Sequence, residues 1–95
     1  MSAKTIPLAK FRCGKILSTP NALSQLTQDD ILMGIQRHQS GDWGDVDEHD
    51  RQENELSLTQ GFRLFSVYHA ATGVKFWIIT EADRSITTVL LPEDY

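Results

Sequence analysis

His38, Arg63, Ser66, Tyr68, Arg84 and Thr88 are the side chains whose chemistry, if brought together, could amount to catalysis. A histidine ending one helix, beside arginine, hydroxyl and phenol groups on an adjoining sheet, supplies a base, a phosphate clamp and an acid. That is the set for metal-free cleavage of RNA. A second polar grouping, "TEADRSITT" at residues 80–88, gathers Thr80, Glu81, Asp83, Arg84, Ser85, Thr87 and Thr88 around one hairpin end. Asp83 and Ser85 suit turns, and Arg84 can pair with Glu81 or Asp83. Thr80 and Thr88 fall inside Val/Ile-rich runs, where buried hydroxyls need partners, so a structural and a functional reading of the cluster both stand.

Metal chemistry has weaker support. His49 and Glu53 are four apart and share a helix face, and His38 and Asp42 flank the preceding turn, which offers nitrogen and oxygen ligands. No H-E-x-x-H, C-x-x-C or calcium-loop spacing accompanies them, so solvated helix charges are the default and neither a metal nor a cofactor is expected.

The stretch "RHQSGDWGDVDEHDRQENE", residues 37–55, sets Trp43 between Gly41 and Gly44 and then runs into carboxylates. Glycines let the chain turn while the indole offers a large apolar surface, either as a plug between helices and sheet or as a contact anchor. Asp45 and Glu48 have the spacing of a helix cap, and Asp47 lies in the first turn, where the helix dipole favours negative charge. Asp42, Trp43, Asp45, Asp47, Glu48, Asp50 and Glu53, with Glu55 beyond them, form the candidate partner-binding surface. Such a block raises encounter rates with a basic partner.

The elements that must position these groups follow from pattern. Residues 1–7 read as a loose tail, and residues 8–17 alternate as a strand that "STPN" stops. A short helical turn fits residues 22–26. Thr27 and Asp30 then form a capping box, with Leu26 stapling onto Ile31 and a buried stripe of Ile31, Leu32 and Ile35, and Gly41 ends this helix. An acidic helix spans 46–60, with too few aliphatic residues for a continuous core-facing stripe, and Gly61 closes it. The runs "FRLFSVYHA", "VKFWIIT" and "ITTVLLP", separated by turns at "ATG" and "EADRS", read as an antiparallel meander. The expected fold is a single α+β domain, β-α-α-β-β-β, in which strand one completes a three- to four-stranded antiparallel sheet packed with two main helices. Both sheet faces are partly apolar. The Ile31 helix covers one, and the other needs the acidic helix or a second subunit, so a homodimer is a third possibility.

Composition narrows the classes of function. Ninety-five residues fit one core, and 40% hydrophobic with 23% charged residues is an ordinary globular balance with no apolar run near the ~18 residues a membrane span requires. A net charge of −4 argues against direct nucleic-acid binding driven by many phosphate contacts. The N-terminus lacks the apolar run of a secretion signal, which points to the cytoplasm. Cys13 is the sole cysteine, so no internal disulfide forms, and its alternation with Phe11 fits a small buried hydrophobe better than a reactive thiol.

The strings "RHQSGDWG", "GFRLFSVY" and "KFWIITEADRSITTVLLPEDY", with Asn54 between them, resemble a family of small bacterial proteins carried on plasmids and other mobile elements, over roughly residues 24–95. Members are sometimes labelled the methylation subunit of a type I restriction system. That label implies a glycine-rich cofactor loop and an Asn/Asp-Pro-Pro-aromatic loop on a large parallel sheet, and the chain has neither. The resemblance implies a mobile-DNA setting. A helical N-terminal part followed by a meander is also similar to the barnase, colicin and RelE-like ribonuclease fold, although an acidic helix would repel an RNA backbone. The leading expectation is a non-enzymatic protein-interaction module, an inhibitor or accessory factor that meets a host defence or nucleic-acid-handling protein through its acidic helix. The alternative is a small metal-free ribonuclease using His38, Tyr68 and Arg84.

Overall fold

The computed structural model describes residues 8–95, so the expected tail at 1–7 lies outside the described residues. The elements run β1 (Lys15–Ser18), α1 (Pro20–Gln25), α2 (Gln28–Gln39), α3 (Glu48–Gln60), β2 (Leu64–His69), β3 (Lys75–Thr80), β4 (Ile86–Leu90) and a closing 3-10 turn at Pro92–Asp94. The fold is α+β with three helices and a four-stranded sheet, as the hydrophobic pattern predicts.

Local signals set the helix ends. Thr19 caps α1 ahead of Pro20, whose fixed φ suits the first helical position. Thr27 and Asp30 close a reciprocal capping box on α2, the hydroxyl accepting from the Asp30 N–H and the carboxylate from the Thr27 N–H. The cap of α3 is Asp47, whose carboxylate accepts from the Asp50 N–H at 2.8 Å, two residues later than the Asp45 spacing predicts. Gly61 ends that helix at φ 76°, where a Cβ would be strained. The buried stripe of α2 is also shifted from expectation. Gly34, Ile35 and His38 face the core with half-buried Ile31, while Leu32 is 59% exposed. Leu32 lies a third of a turn past the line that Ile31, Ile35 and His38 define.

The sheet order is β1-β4-β3-β2. The meander pairs antiparallel, with Ser66 opposite Ile78 and Ile79 opposite Thr88. β1 is a correction in two respects: it covers only Lys15–Ser18 rather than 8–17, and it joins β4 in parallel. A parallel neighbour needs a long connection, and all three helices lie between β1 and the meander. Residues 8–14 instead run across the end of α2, where the Lys10 N–H donates to the Gln39 carbonyl at 2.7 Å.

On one face α2 packs against β3. A Cβ on Gly34 would lie 2.9 Å from the Phe76 ring and 3.0 Å from Ile78, so the absence of a side chain there sets how closely helix and sheet approach. Leu64, Ser66, Tyr68, Phe76, Ile78, Thr80, Thr87 and Val89 are all buried on this side. The opposite face carries Phe65, Trp77, Ile79 and Thr88 under Tyr95 and the closing 3-10 turn, with none of the three described α-helices over it; α3 lies along the β2 edge instead.

That edge is closed by side chain and main chain together. Asn54 on α3 donates from Nδ2 to the Phe65 carbonyl at 2.7 Å and accepts the Phe65 N–H at 2.9 Å, so one amide side chain plays the part of a neighbouring strand residue. Beside it the Val67 N–H donates to the Trp43 carbonyl and the Asp45 N–H to the Val67 carbonyl. Gly44 makes this bridge with φ 72° and with the Val67 carbonyl where its Cβ would stand. Replacing Asn54 by Leu should therefore destabilise the protein by about 2–4 kcal/mol, two hydrogen bonds lost and an edge amide left unpaired. Asn54→Asp, which keeps only the acceptor, should fall between; urea unfolding of the three proteins checks the order.

Candidate functional site

The polar residues singled out by chemistry divide into two groups once folded. His38 is fully buried. Its Nδ1 lies 2.5 Å from Ser66 Oγ and its Nε2 2.8 Å from Thr80 Oγ1. Thr80 Oγ1 in turn meets Thr87 Oγ1 at 2.7 Å, and the Thr87 hydroxyl donates to the Cys13 carbonyl at 2.7 Å.

The far end of this chain fixes every proton in it. A carbonyl only accepts, so Thr87 spends its hydrogen on Cys13, and Thr80 must donate to Thr87. Thr80 then has no hydrogen left for the ring, so His38 donates from Nε2 and accepts at Nδ1 from Ser66. The imidazole is the neutral Nε2–H tautomer, with both nitrogens used. Phe11 meets the ring edge at 5.1 Å and Trp43 at 5.7 Å, sealing it from solvent. Burial, with a smaller contribution from the nearby Arg84 charge, lowers its pKa to about 3.

Tyr68 is buried beside Phe76, its hydroxyl donating to the Asp42 carbonyl at 2.6 Å. Desolvation pushes its pKa well up. Arg84 sits in the left-handed region at φ 63° and turns its guanidinium onto the end of α3. It donates to the carbonyls of Ser57 at 2.8 Å, Phe62 at 2.6 Å and, more loosely, Glu81 and Ala82. α3 has no basic residue in its own last turn, so Arg84 brings the cation that a helix C-terminus favours from the β3–β4 hairpin. Arg63 lies on the surface, its guanidinium on Glu81 at 3.0 Å and on the Tyr95 hydroxyl at 3.2 Å. Thr88 is on the far side of the sheet from Thr87. Of the six candidate catalytic residues, His38 bonds directly to Ser66, while the Tyr68 hydroxyl and the Arg84 and Arg63 guanidinium groups are each turned to other partners.

The candidate partner surface keeps its carboxylates outward, with one correction. Trp43 is 4% exposed, stacked on Phe11 and donating from Nε1 to Glu55 at 2.7 Å, so it is a plug and not a contact residue. Asp42 takes a two-pronged bond from Arg37, which lies over the Tyr68 ring, and that bond holds its carboxyl below the usual range. Asp45 sits 2.8 Å from His69, and the Arg51 guanidinium likewise lowers the pKa of Glu48. Among the described residues the ion-pair partner of both Asp50 and Glu53 is exposed His49, at 3.7 and 3.8 Å. His38, the other nitrogen donor considered for a metal, is sealed in the core.

The open sheet face holds what the residue-by-residue reading passed over: a pocket of about 240 Å³ lined by Arg63, Phe65, Trp77, Ile79 and Tyr95. Trp77 meets Phe65 at 5.1 Å and Tyr95 at 5.8 Å, both edge to face. The signal for it is the β3 alternation, which puts Trp77 and Ile79 opposite the face that α2 covers.

Two outcomes follow. Because the folded ring stays neutral down to about pH 3 while the unfolded one protonates near 6.5, the stability this contributes is complete above 6.5 and is lost as pH falls below it. Urea unfolding between pH 7 and 5 should lose roughly 1.4 kcal/mol per pH unit below 6.5, and His38→Gln should show less of that slope. Arg84→Ala should cost roughly 2 kcal/mol by freeing the carbonyls of Ser57 in α3 and Phe62 beyond it, with Arg84→Lys recovering part of it, read from thermal denaturation.

Comparison with protein-family models, with curated proteins and with solved structures gives no match. What the chain does is to be read from its own side chains.

Proposed function

We propose that the protein is a non-enzymatic interaction module that binds a protein partner presenting a basic segment with an apolar anchor. Phe65 carries this reading, because it joins the two outward surfaces. Its backbone is held by Asn54 on the acidic helix, and its side chain walls the aromatic pocket. A partner crossing the β2 edge would meet Asp45, Asp50 and Glu53 on one side and Phe65, Trp77 and Tyr95 on the other. Arg63, the one cation among the described residues lining the pocket, is already matched by Glu81. Carboxylates in such a position speed encounter and select for basic partners, while the aromatic walls supply the buried area that slows release.

A mobile-element accessory factor or inhibitor facing a nucleic-acid-handling protein fits this chemistry, since the channels of such proteins are basic. A ribonuclease is not favoured, because the base it requires is buried with both ring nitrogens bonded. Capture from a host extract should recover a basic partner in a salt-sensitive manner. The triple variant Asp45→Lys, Asp50→Lys, Glu53→Lys should lose it by tenfold or more, and Ile79→Trp, filling the pocket, should also weaken it. Unchanged recovery by both variants, with folding verified by circular dichroism, would remove the proposed surface.

A further inference from the structure

The two edges of the sheet are finished differently. The β2 edge is closed by Asn54 and by the bridge at Gly44. Among the described residues nothing pairs with the outer edge of β1. In its parallel ladder the odd-numbered residues turn toward β4, the Lys15 N–H donating to Ser85 at 2.9 Å and the Thr19 N–H to Val89 at 3.0 Å. The N–H and C=O of Ile16 and Ser18 therefore point away from the sheet. Ile16 and Leu17, on opposite sides of this strand, are 47% and 41% exposed. An apolar edge with unused backbone groups is a template for another strand.

We propose that β1 pairs antiparallel with β1 of a second copy about a two-fold axis at Leu17, joining two four-stranded sheets into one of eight. The register follows from the groups available. Ile16 faces Ser18 of the second copy and exchanges both backbone bonds with it, Leu17 faces its own symmetry mate, and Lys15 faces Thr19 of the second copy. Centring on Ser18 would set Ile16 against Pro20, which has no N–H. Centring on Ile16 would set Ser18 against Gly14, whose φ of 62° is not that of a strand.

Charge selects the same arrangement. Asp94 is held by the Thr19 hydroxyl at 2.6 Å and by Asn21 at 3.2 Å, so Lys15 of one copy arrives beside a fixed carboxylate of the other, twice by symmetry. Among the described residues neither Lys15 nor Asp94 takes part in an ion pair within the chain. The acidic α3 lies along the opposite edge of each sheet, which keeps its carboxylates away from this junction. The surface is separate from the one proposed for a basic partner, and either can fail without the other.

Light scattering across a concentration series should give twice the 10.7 kDa chain mass. Ile16→Pro removes an outward N–H and leaves the bonds to β4, so it should give a folded monomer. Under oxidised glutathione Leu17→Cys should cross-link to its mate and Ile16→Cys should do so at least tenfold more slowly; native Cys13 is buried and does not compete. A monomer at every concentration up to about 1 mM would overturn the proposal. So would a dimer that survives Ile16→Pro and leaves Leu17→Cys unlinked, which would point to the Trp77 face instead. Should Ile16→Pro fail to fold, the relative cross-linking rates decide alone.

Discussion

Burying a neutral histidine at the centre of the domain is the constraint on which the rest of the structure depends. An imidazole taken out of water needs a partner at each nitrogen, and an unmet one costs about 1–3 kcal/mol. The chain meets this by lining up hydroxyls from three strands, Ser66 on β2, Thr80 on β3 and Thr87 on β4, and ending on the Cys13 carbonyl. These bonds tie α2 to all three meander strands and to the segment entering β1. A one-residue slip in any of the pairings would carry a hydroxyl to the opposite face, so the chain also fixes the register of the sheet. No buried side-chain nitrogen or oxygen among the described residues lacks a partner.

The same economy governs the surroundings. Arg84 stands in a strained backbone position to reach the end of α3, its charge lies close enough to help keep His38 neutral, and its guanidinium sits 5.8 Å from the Phe11 ring. Phe11 and Trp43 close the ring from above, and Glu55 satisfies the indole N–H. Groups that look like catalytic equipment in the sequence are here the fixings of a small core, which at this chain length has little apolar surface to spare. The outward surfaces are left to α3, to the aromatic face and to the β1 edge.

The fold class, the capping box of α2 and the three meander strands were legible from the sequence because each rests on neighbours in the chain. Thr27 and Asp30 need only each other, and β2, β3 and β4 need only period-two alternation and turns between them. The α+β architecture and the outward direction of the acidic helix followed from the same local rules. The short extent of β1 was not legible, since residues 8–14 alternate equally well while running across the end of α2.

Tertiary structure alone decided the remainder. Thr80 and Thr87 stand seven residues apart, and only the hairpin register sets them side by side, while Thr88 next in the chain goes to the other face. Trp43 between glycines could serve as plug or contact, and the choice fell to Phe11 and Glu55, which no spacing connects to it. Whether His38 would be a reachable base depended on which hydroxyls met it, and those lie 28 and 42 residues away. Sequence fixes what a side chain can donate, accept or bury; long-range pairing determines who answers it, because loop closure brings together groups whose separation along the chain carries no local signal.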